Sequence, residues 1–291
     1  MSLSTLPRPD TALTERAAGG LLELTADVAP DGRTYLSRRS QRFPLRLTTP
    51  LYLDPSQPGM AFLYVQNPTG GLFEDDDHKI ALDVRSGALV HLTTQSASKL
   101  YRADRGCARQ RVTLAVAKGA FAEYVPDPLI PHGGARLKQE VVAAVEPGGR
   151  LILSEVVAPG RVAGGEEFEY SSLSLTTRIS RGGEQTAVDS VLLEPGRLEP
   201  RRAGVLGDRA YLASVFAVVP GADCEALART ISQAADGMPG CLVGTSTLPS
   251  ATGVLTRILA GSGISAGRAL DAAWSAARIA LIGSAPPRRR K

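Results

Sequence analysis

Cysteine, histidine and long apolar runs are all scarce in this sequence. Its 291 residues include three cysteines, Cys107, Cys224 and Cys241, and no two of them have C-x-x-C spacing. So few scattered cysteines argue against a disulfide framework and favour a reducing compartment. No stretch of 18 consecutive apolar residues occurs, and the N-terminal segment lacks the apolar core of a signal peptide. These absences predict a cytoplasmic protein that does not enter a membrane.

Motifs for catalysis and for cofactor binding are also missing. The three histidines, His78, His91 and His132, stand apart from one another and from cysteine, which argues against a tight zinc centre. No G-x-S-x-G, G-x-G-x-x-G or P-loop pattern occurs. Two carboxylates can still meet in space for acid-base chemistry, but no pair stands out. We therefore predict a protein that is not an enzyme, with a hydrolase of unrecognised carboxylate site as an alternative.

The charge balance is mildly basic. Thirty-three Lys and Arg against 29 Asp and Glu give a formal net charge of +4, which suits an acidic partner without naming one. A nucleic-acid-binding β protein is thus a second alternative. Only Tyr35 and Phe43 interleave with the basic cluster, so a base-stacking platform is weakly supported. That cluster consists of Arg33, Arg38, Arg39, Arg42 and Arg46.

Short apolar runs with polar alternation dominate residues 20 to 219. Examples are A-F-L-Y-V-Q, K-I-A-L-D-V and R-L-I-L-S-E-V-V, and Val205 to Val219 is also strand-like. Gly- and Pro-containing turn signals separate these runs at close intervals. The pattern predicts a mostly β protein, and because aromatic residues make up only 5% of the chain, Val, Leu and Ile must fill its core.

The last third adds two predicted helices. Asp223 to Asp236 begins with an acidic N-cap, and Ser265 to Leu281 places Leu270, Trp274 and Leu281 on one face. We predict a flexible lead-in at residues 1–18, one large β domain at residues 19–285 and a basic tail at residues 286–291.

One stretch, V-Q-N-P-T-G-G-L-F-E-D-D-D-H, poses the question of a metal site. In an extended strand, successive side chains point to opposite faces, so four consecutive acids cannot converge on one cation without a sharp turn. Neither the EF-hand spacing nor the P-loop lysine is present. From these residues alone we expect a Gly-Gly turn whose acids face solvent.

Five motifs occur in order along the chain. They are Q-N-P-T-G-G-L at 66–72, H-L-T-T-Q-S-A-S-K-L-Y-R at 91–102, E-Y-V-P-D-P-L-I-P at 123–131, E-V-V-A-P-G-R at 155–161 leading to G-E-E-F at 165–168, and Trp274 with Arg278. Over about residues 18 to 282 these motifs resemble the urease accessory protein family UreD, also called UreH. That family usually has Gly-Gly-Leu-x-x-Gly-Asp from the position of Gly70 onward, which matches Asp76 but leaves Asp75 in the place of a glycine; if the family turn needs positive φ, Asp adopts it at some cost.

The resemblance implies a mostly β fold with right-handed β-helical winding and a few helices near the C-terminus. It also implies a non-catalytic maturation factor that binds the urease structural subunits, UreF and, through UreF, the GTPase UreG. Nickel released on GTP hydrolysis by UreG would then pass through water-filled tunnels to apo-urease. No tightly bound cofactor and no nucleic acid are implied, only transient Ni²⁺.

A conduit must attract Ni²⁺ and release it quickly, which suits isolated carboxylates and hydroxyls. On this basis we predict three sets of residues. The predicted nickel path consists of Asp76, Glu155, Glu166 and Ser96; the predicted partner interface consists of Lys99, Tyr101, Arg102 and Arg161; and the predicted structural residues are Gly70, Gly71, Pro126, Asp127 and Trp274.

Overall fold

The computed structural model describes residues 19–219 and 223–287. The predicted lead-in at residues 1–18 and the last four residues of the predicted basic tail lie outside the described residues. The described part forms 18 strands and two α-helices. The strands are β1 Leu21–Val28, β2 Thr34–Arg42, β3 Arg46–Leu47, β4 Ala61–Gln66, β5 Gly71–Leu72, β6 Asp77–Val84, β7 Leu89–Thr94, β8 Ser98–Leu100, β9 Ala108–Val116, β10 Phe121–Tyr124, β11 Leu129–Pro131, β12 Arg136–Val145, β13 Arg150–Val157, β14 Ser172–Arg181, β15 Glu184–Leu193, β16 Tyr211–Val218, β17 Cys241–Thr247 and β18 Gly253–Ala260; the helices are α1 Cys224–Ala235 and α2 Gly263–Ile282.

The chain winds as a β-solenoid-like coil of about four turns, which confirms the predicted fold class. Each of the first three turns gives one strand to each of two large sheets and a short strand between them: β4, β5 and β6, then β7, β8 and β9, then β10, β11 and β12. Strands β13 and β14 form the fourth turn. Successive turns begin at Ala61, Leu89, Phe121 and Arg150, after unequal intervals, so no fixed-period repeat is visible in the sequence.

The strands of the coil and its neighbouring strands form two large sheets. The outer sheet has the order β15-β14-β12-β9-β6-β1-β2, with five parallel strands between two antiparallel edge strands. The helix-covered sheet has the order β17-β18-β16-β13-β10-β7-β4-β3. Its parallel core consists of β4, β7, β10 and β13, and antiparallel strands complete both of its ends.

Apolar side chains fill the coil and the space beneath the helices. A first cluster, which includes Leu82, Leu114 and Leu151, lies between the two sheets. A second cluster packs the helix-covered sheet against α1 and α2, with Phe121 and Trp274 among its largest members. The third cluster lines the side of the coil formed by the short strands. Branched aliphatic residues dominate the first cluster, as the low aromatic content predicts.

Local signals set the ends of both helices. The Asp223 side chain accepts a hydrogen bond from the backbone of Ala226, and the Ser262 side chain accepts one from Ser265. Helix α2 therefore begins two residues before the predicted Ser265, because Ser262 is its N-cap. Gly283 ends α2 in the left-handed conformation, with φ of 77°.

One strand prediction is wrong at its start. The strand expected from Val205 begins only at Tyr211. Residues before it form tight turns, in which the backbone N–H of Val205 donates to the carbonyl of Arg202 at 3.0 Å. Gly204 and Gly207 have φ of 85° and 61°, which a strand does not allow.

Candidate functional site

A row of polar side chains crosses the interior of the coil. His78 of β6 pairs in register with Gln110 of β9, and Gln110 pairs with Gln139 of β12. Within β9 and β12, Gln110 and Gln139 separate members of the first apolar cluster from members of the third. Gln139, for example, lies between Leu137 and Val141. The parallel register therefore stacks polar groups from three successive turns into one layer.

Two adjoining cavities follow this polar layer. The Glu155 cavity is lined by Glu155, Gln139, Ser154 and Thr177 among others, and the His78 cavity by a second set that includes Ser96. The volume that the centre of a water molecule can occupy is about 20 Å³ in the Glu155 cavity and about 60 Å³ in the His78 cavity. The first cavity therefore has room for one water molecule and the second for several. Three residues line both cavities: Thr94, Ser98 and Gln110.

Glu155 and Asp127 are the acidic residues among the described residues that line the Glu155 cavity. Gln139 donates a hydrogen bond to Glu155, and burial raises the pKa of Glu155 to about 7, an effect that the neighbouring Asp189 carboxylate increases and Arg257 opposes. Arg257 is engaged elsewhere, since it donates to Asp189 and to the hydroxyl of Ser214, both at 2.6 Å. A carboxyl group with a pKa near neutrality exchanges its proton readily, so it can alternate between a neutral and a cation-binding form.

The acidic stretch after Gly70-Gly71 does not simply face solvent. The Glu74 carboxylate accepts hydrogen bonds from the backbone N–H groups of Asp104, Arg105 and Gly106, and these bonds lower the pKa of Glu74. Glu74 is partly exposed, and in addition its carboxylate is held by the three N–H groups of a neighbouring turn. Asp75 has φ of +64°, the left-handed conformation expected at the place of the family glycine.

Asp76 joins this turn to the His78 cavity. Its carboxylate accepts a hydrogen bond from the backbone N–H of Phe73 at 2.8 Å, and its Oδ2 lies 3.7 Å from Nε2 of His78. The His78 side chain is 2% exposed, whereas that of Asp76 is 29% exposed. Burial lowers the pKa of His78, against the opposing effect of Asp76 and Asp77, so the neutral imidazole is favoured.

The fourth predicted path residue, Glu166, lies on the loop after β13. Arg161 forms a two-point ion pair with its carboxylate, and the backbone N–H of Gly133 donates to it at 3.2 Å. The Arg161 pair is the main cause that lowers the pKa of Glu166 to about 2. The structure thus brings Ser96, Glu155 and Asp76 to or beside the two cavities and ties Glu166 to a surface arginine.

The predicted interface residues lie on or beside the side of the coil formed by the short strands. Lys99 is exposed on β8, Tyr101 stacks on Phe73 with ring centres 4.4 Å apart, and the ring of His132 meets Tyr101 edge-on at 4.8 Å. Arg102 pairs with Asp104 at 2.8 Å. Burial is the main cause that lowers the pKa of His132, and the positive charges of Arg161 and Lys99 lower it further. These two side chains therefore lie near the His132 ring.

Scaffold residues Gly70 and Gly71 shape the turn beside the His78 cavity. Gly70 has φ of +84°. A Cβ on Gly71 would overlap the carbonyl oxygen of Lys99 and come within 2.8 Å of the Tyr101 ring. Pro126 and Asp127 line the Glu155 cavity, and the backbone N–H of Asp127 donates to the hydroxyl of Thr94 at 2.9 Å.

Replacing Gly71 with alanine should lower the free energy of unfolding by about 1 to 3 kcal/mol, because the added methyl must displace backbone of the next turn. Denaturant unfolding measures the change. Gly244→Ala is the matched control, since Gly244 lies on edge strand β17 and a Cβ there has no described atom within 4 Å. Equal stability of the two variants would contradict the close approach.

Sequence analysis missed a buried ionic network under α2. Arg278 pairs with Asp54 at 2.5 Å and with Glu123 at 2.8 Å, and all three side chains are at most 2% exposed. Nδ1 of His91 lies 2.8 Å from Glu123, and the Trp274 indole donates to the same carboxylate at 3.2 Å. The one available signal was the Trp274 and Arg278 pair, spaced four residues apart on one helix face.

The described residues contain no group of three or more His, Cys, Asp or Glu side chains arranged to hold a metal ion. Neither helix in this part of the chain is both long and apolar enough to cross a bilayer.

Comparison with known proteins agrees with the motif resemblance. The model of the UreD urease accessory protein family matches residues 18–291. The chain is 37% identical over 290 residues to urease accessory protein UreD 2 of Streptomyces griseus, which covers 97% of each chain. It is 37% identical over 261 residues to UreD of Mycolicibacterium gilvum (90% of this chain, 93% of the relative) and 34% identical over 260 residues to UreD of Cenarchaeum symbiosum (89% and 91%). The chain therefore belongs to the UreD family of urease accessory proteins.

Proposed function

We propose that this protein is a non-catalytic scaffold and nickel conduit for urease maturation. In this role it binds UreF, through UreF the GTPase UreG, and the urease structural subunits. Ni²⁺ released on GTP hydrolysis by UreG then passes through the coil to apo-urease. The observation that carries this proposal is the pair of adjoining polar cavities between two apolar clusters.

The lining of these cavities supports transport over storage. Among the described residues of the lining, hydroxyl and amide groups predominate, with two acids, Asp127 and Glu155, in the Glu155 cavity and one imidazole, His78, in the His78 cavity. Amide, hydroxyl and single carboxylate oxygens hold a divalent cation weakly, so it can move from one group to the next. No cysteine is among the described residues that line the two cavities, and a cysteine thiolate would retain nickel.

Partner binding in this proposal uses the aromatic and basic side of the coil. Phe73 is 43% exposed although it stacks on Tyr101, and exposed aromatic groups beside charged ones are typical of interface centres. Lys99 and Arg161 add positive charge near His132, whose ring contacts Tyr101. This surface lies next to the His78 cavity, because Gly70 and Gly71 contact Tyr101 and also line that cavity.

The nucleic-acid alternative receives little support. Within the basic cluster, Arg38 pairs with Glu23 at 3.2 Å and Arg33 pairs with Asp31 at 3.9 Å. Arg42 donates to the carbonyl of Gly19 at 2.7 Å. Part of the positive charge is thus already compensated within the protein, and a phosphate backbone would have to compete for it.

Blocking the passage tests the conduit separately from the scaffold. Ser98 lines both cavities, so Ser98→Phe should fill their junction. In cells that co-express UreF, UreG and the urease subunits, we expect the complex to co-purify as before and the nickel content of urease to fall at least fivefold. Ser190→Phe, the same change on the exposed face of edge strand β15, should leave nickel content unchanged.

Thermal unfolding must first show that Ser98→Phe is folded, and Ser98→Leu serves as a smaller plug if it is not. Normal nickel content in urease matured with a folded plugged variant would refute the conduit. Failure of the wild-type chain to co-purify with UreF or with urease would refute the scaffold.

A further inference from the structure

Two buried polar atoms that line the His78 cavity have no protein hydrogen-bond partner among the described residues. They are Nε2 of His78 and Oε1 of Gln110. The two residues are register partners on the parallel strands β6 and β9, so their backbones run about 5 Å apart. A buried polar atom without a partner costs about 1 to 3 kcal/mol, so a native protein that keeps two of them side by side must satisfy them with something that is not protein.

Asp76 completes the set from the surface side. Its Oδ2 lies 3.7 Å from the same Nε2 of His78, which is too far for a hydrogen bond. Two ligand atoms that each lie about 2.1 Å from one small divalent ion are about 3 to 4 Å apart, depending on the angle between them. The observed separation falls in that range. His78 therefore stands between a partly exposed carboxylate and an interior amide oxygen.

We propose that His78, Asp76 and Gln110 form a transient binding site for a divalent first-row transition-metal ion, with Ni²⁺ as its occupant, where the surface turn meets the His78 cavity. This proposal rests on the proposed conduit and assigns its point of entry. The ion contacts the Asp76 carboxylate first, then Nε2 of His78, and the Gln110 amide oxygen receives it on the cavity side.

The chemistry of the three groups suits a short residence. Imidazole nitrogen favours Ni²⁺ over Mg²⁺ or Ca²⁺, which prefer oxygen ligands alone. One imidazole, one carboxylate and one neutral amide leave the remaining coordination positions to water. Such a site has selectivity from the nitrogen and weak retention from the small number of protein ligands.

Histidine NMR of the full-length chain can test the site directly, because the chain has only three histidines. The probe is Ni²⁺ alone, which is paramagnetic and broadens the signals of nearby nuclei. The histidine rings are labelled with ¹⁵N in a His132→Gln background. This substitution removes the least buried of the three imidazoles and leaves those of His78 and His91. At a tenth of a molar equivalent of Ni²⁺, the His78 signal, assigned with His78→Gln, should lose at least half of its intensity while His91 keeps its own.

Variants of the two oxygen ligands give the second readout. Asp76→Asn and Gln110→Leu should each raise the Ni²⁺ concentration for half-broadening of His78 at least fivefold. Gln95→Leu is the matched control, because Gln95 lines the same cavity from an exposed position and should leave the titration unchanged. Mg²⁺ at the same concentrations should leave His78 unaffected.

Ordered water is the competing occupant of this place. If His78 is unaffected at ten equivalents of Ni²⁺, or if both ligand variants titrate like the wild type, water alone satisfies these atoms and the proposal is overturned. The nickel content of co-expressed urease is measured in parallel. If urease still depends on this chain for nickel but His78 shows no response to Ni²⁺, the entry site is refuted and the conduit is not. If urease acquires nickel without this chain, the conduit itself is refuted.

Discussion

Replacing Arg278 with methionine is expected to lower the free energy of unfolding by about 3 to 5 kcal/mol. Methionine fills much of the same volume, so the loss is mainly electrostatic. The side chains of Asp54 and Glu123 are 2% and 0% exposed, and both would lose their cationic partner while remaining away from water. Urea unfolding followed by circular dichroism gives the free energy directly.

Two further variants separate charge from packing in this network. Arg268→Met changes an exposed arginine on the same helix and should alter stability by less than about 0.5 kcal/mol. The triple variant Arg278→Met, Asp54→Asn, Glu123→Gln removes the charges together and should recover roughly half of the loss. A small effect of Arg278→Met alone, similar to that of Arg268→Met, would contradict the buried network.

Replacing Glu155 with glutamine should stabilise the protein increasingly as the pH rises. In the folded state the pKa of Glu155 is about 7, raised from 4.5 mainly by burial. Between these values the folded protein holds a proton that the unfolded chain has lost, so wild-type stability falls as pH rises through this interval. Glutamine carries no charge, so the stability difference in its favour should grow by up to about 3 kcal/mol between pH 4 and pH 8.

The pH dependence, more than the absolute stability, distinguishes this effect. Unfolding free energies of both proteins at pH 4, 6 and 8 supply the comparison. Glu140→Gln should show the opposite trend. Arg111 lowers the pKa of Glu140, so the wild type gains stability as the carboxyl groups ionise with rising pH, whereas the glutamine variant does not. A difference between wild type and Glu155→Gln that stays constant with pH would show that the carboxyl group is solvated.

If both predictions hold, the two acids Glu123 and Glu155 of the helix-covered sheet have different tasks. Glu123 is fixed by Arg278 and by the Trp274 indole, and it anchors α2 to the sheet. Glu155 lines a cavity and forms no direct ion pair with an arginine of the described residues, so its charge can change without breaking such a pair. An acid of the second kind is suited to a cation in transit, because the proton and the metal compete for the same oxygen atoms.

Local and periodic features of the fold were predictable from the sequence. Asp223 begins α1 and Gly283 ends α2 as expected, because capping depends on residues within one turn of the helix end. Short apolar runs bounded by turn signals identified A-F-L-Y-V-Q and R-L-I-L-S-E-V-V as strands, and they are β4 and β13. The strand expected from Val205 failed at its start because Gly204 and Gly207 turn the backbone, which apolar content does not reveal.

The sequence by itself determined the class of fold, the two helices and, through ordered motifs, the family. The tertiary structure alone decided which polar residues meet. His78, Gln110 and Gln139 are about 30 residues apart along the chain and become neighbours only because parallel strands of successive turns pair in one register. In the same way, Asp54 meets Arg278 only after α2 packs on the helix-covered sheet. Turn lengths of the coil set these contacts, and no local pattern of residues encodes them.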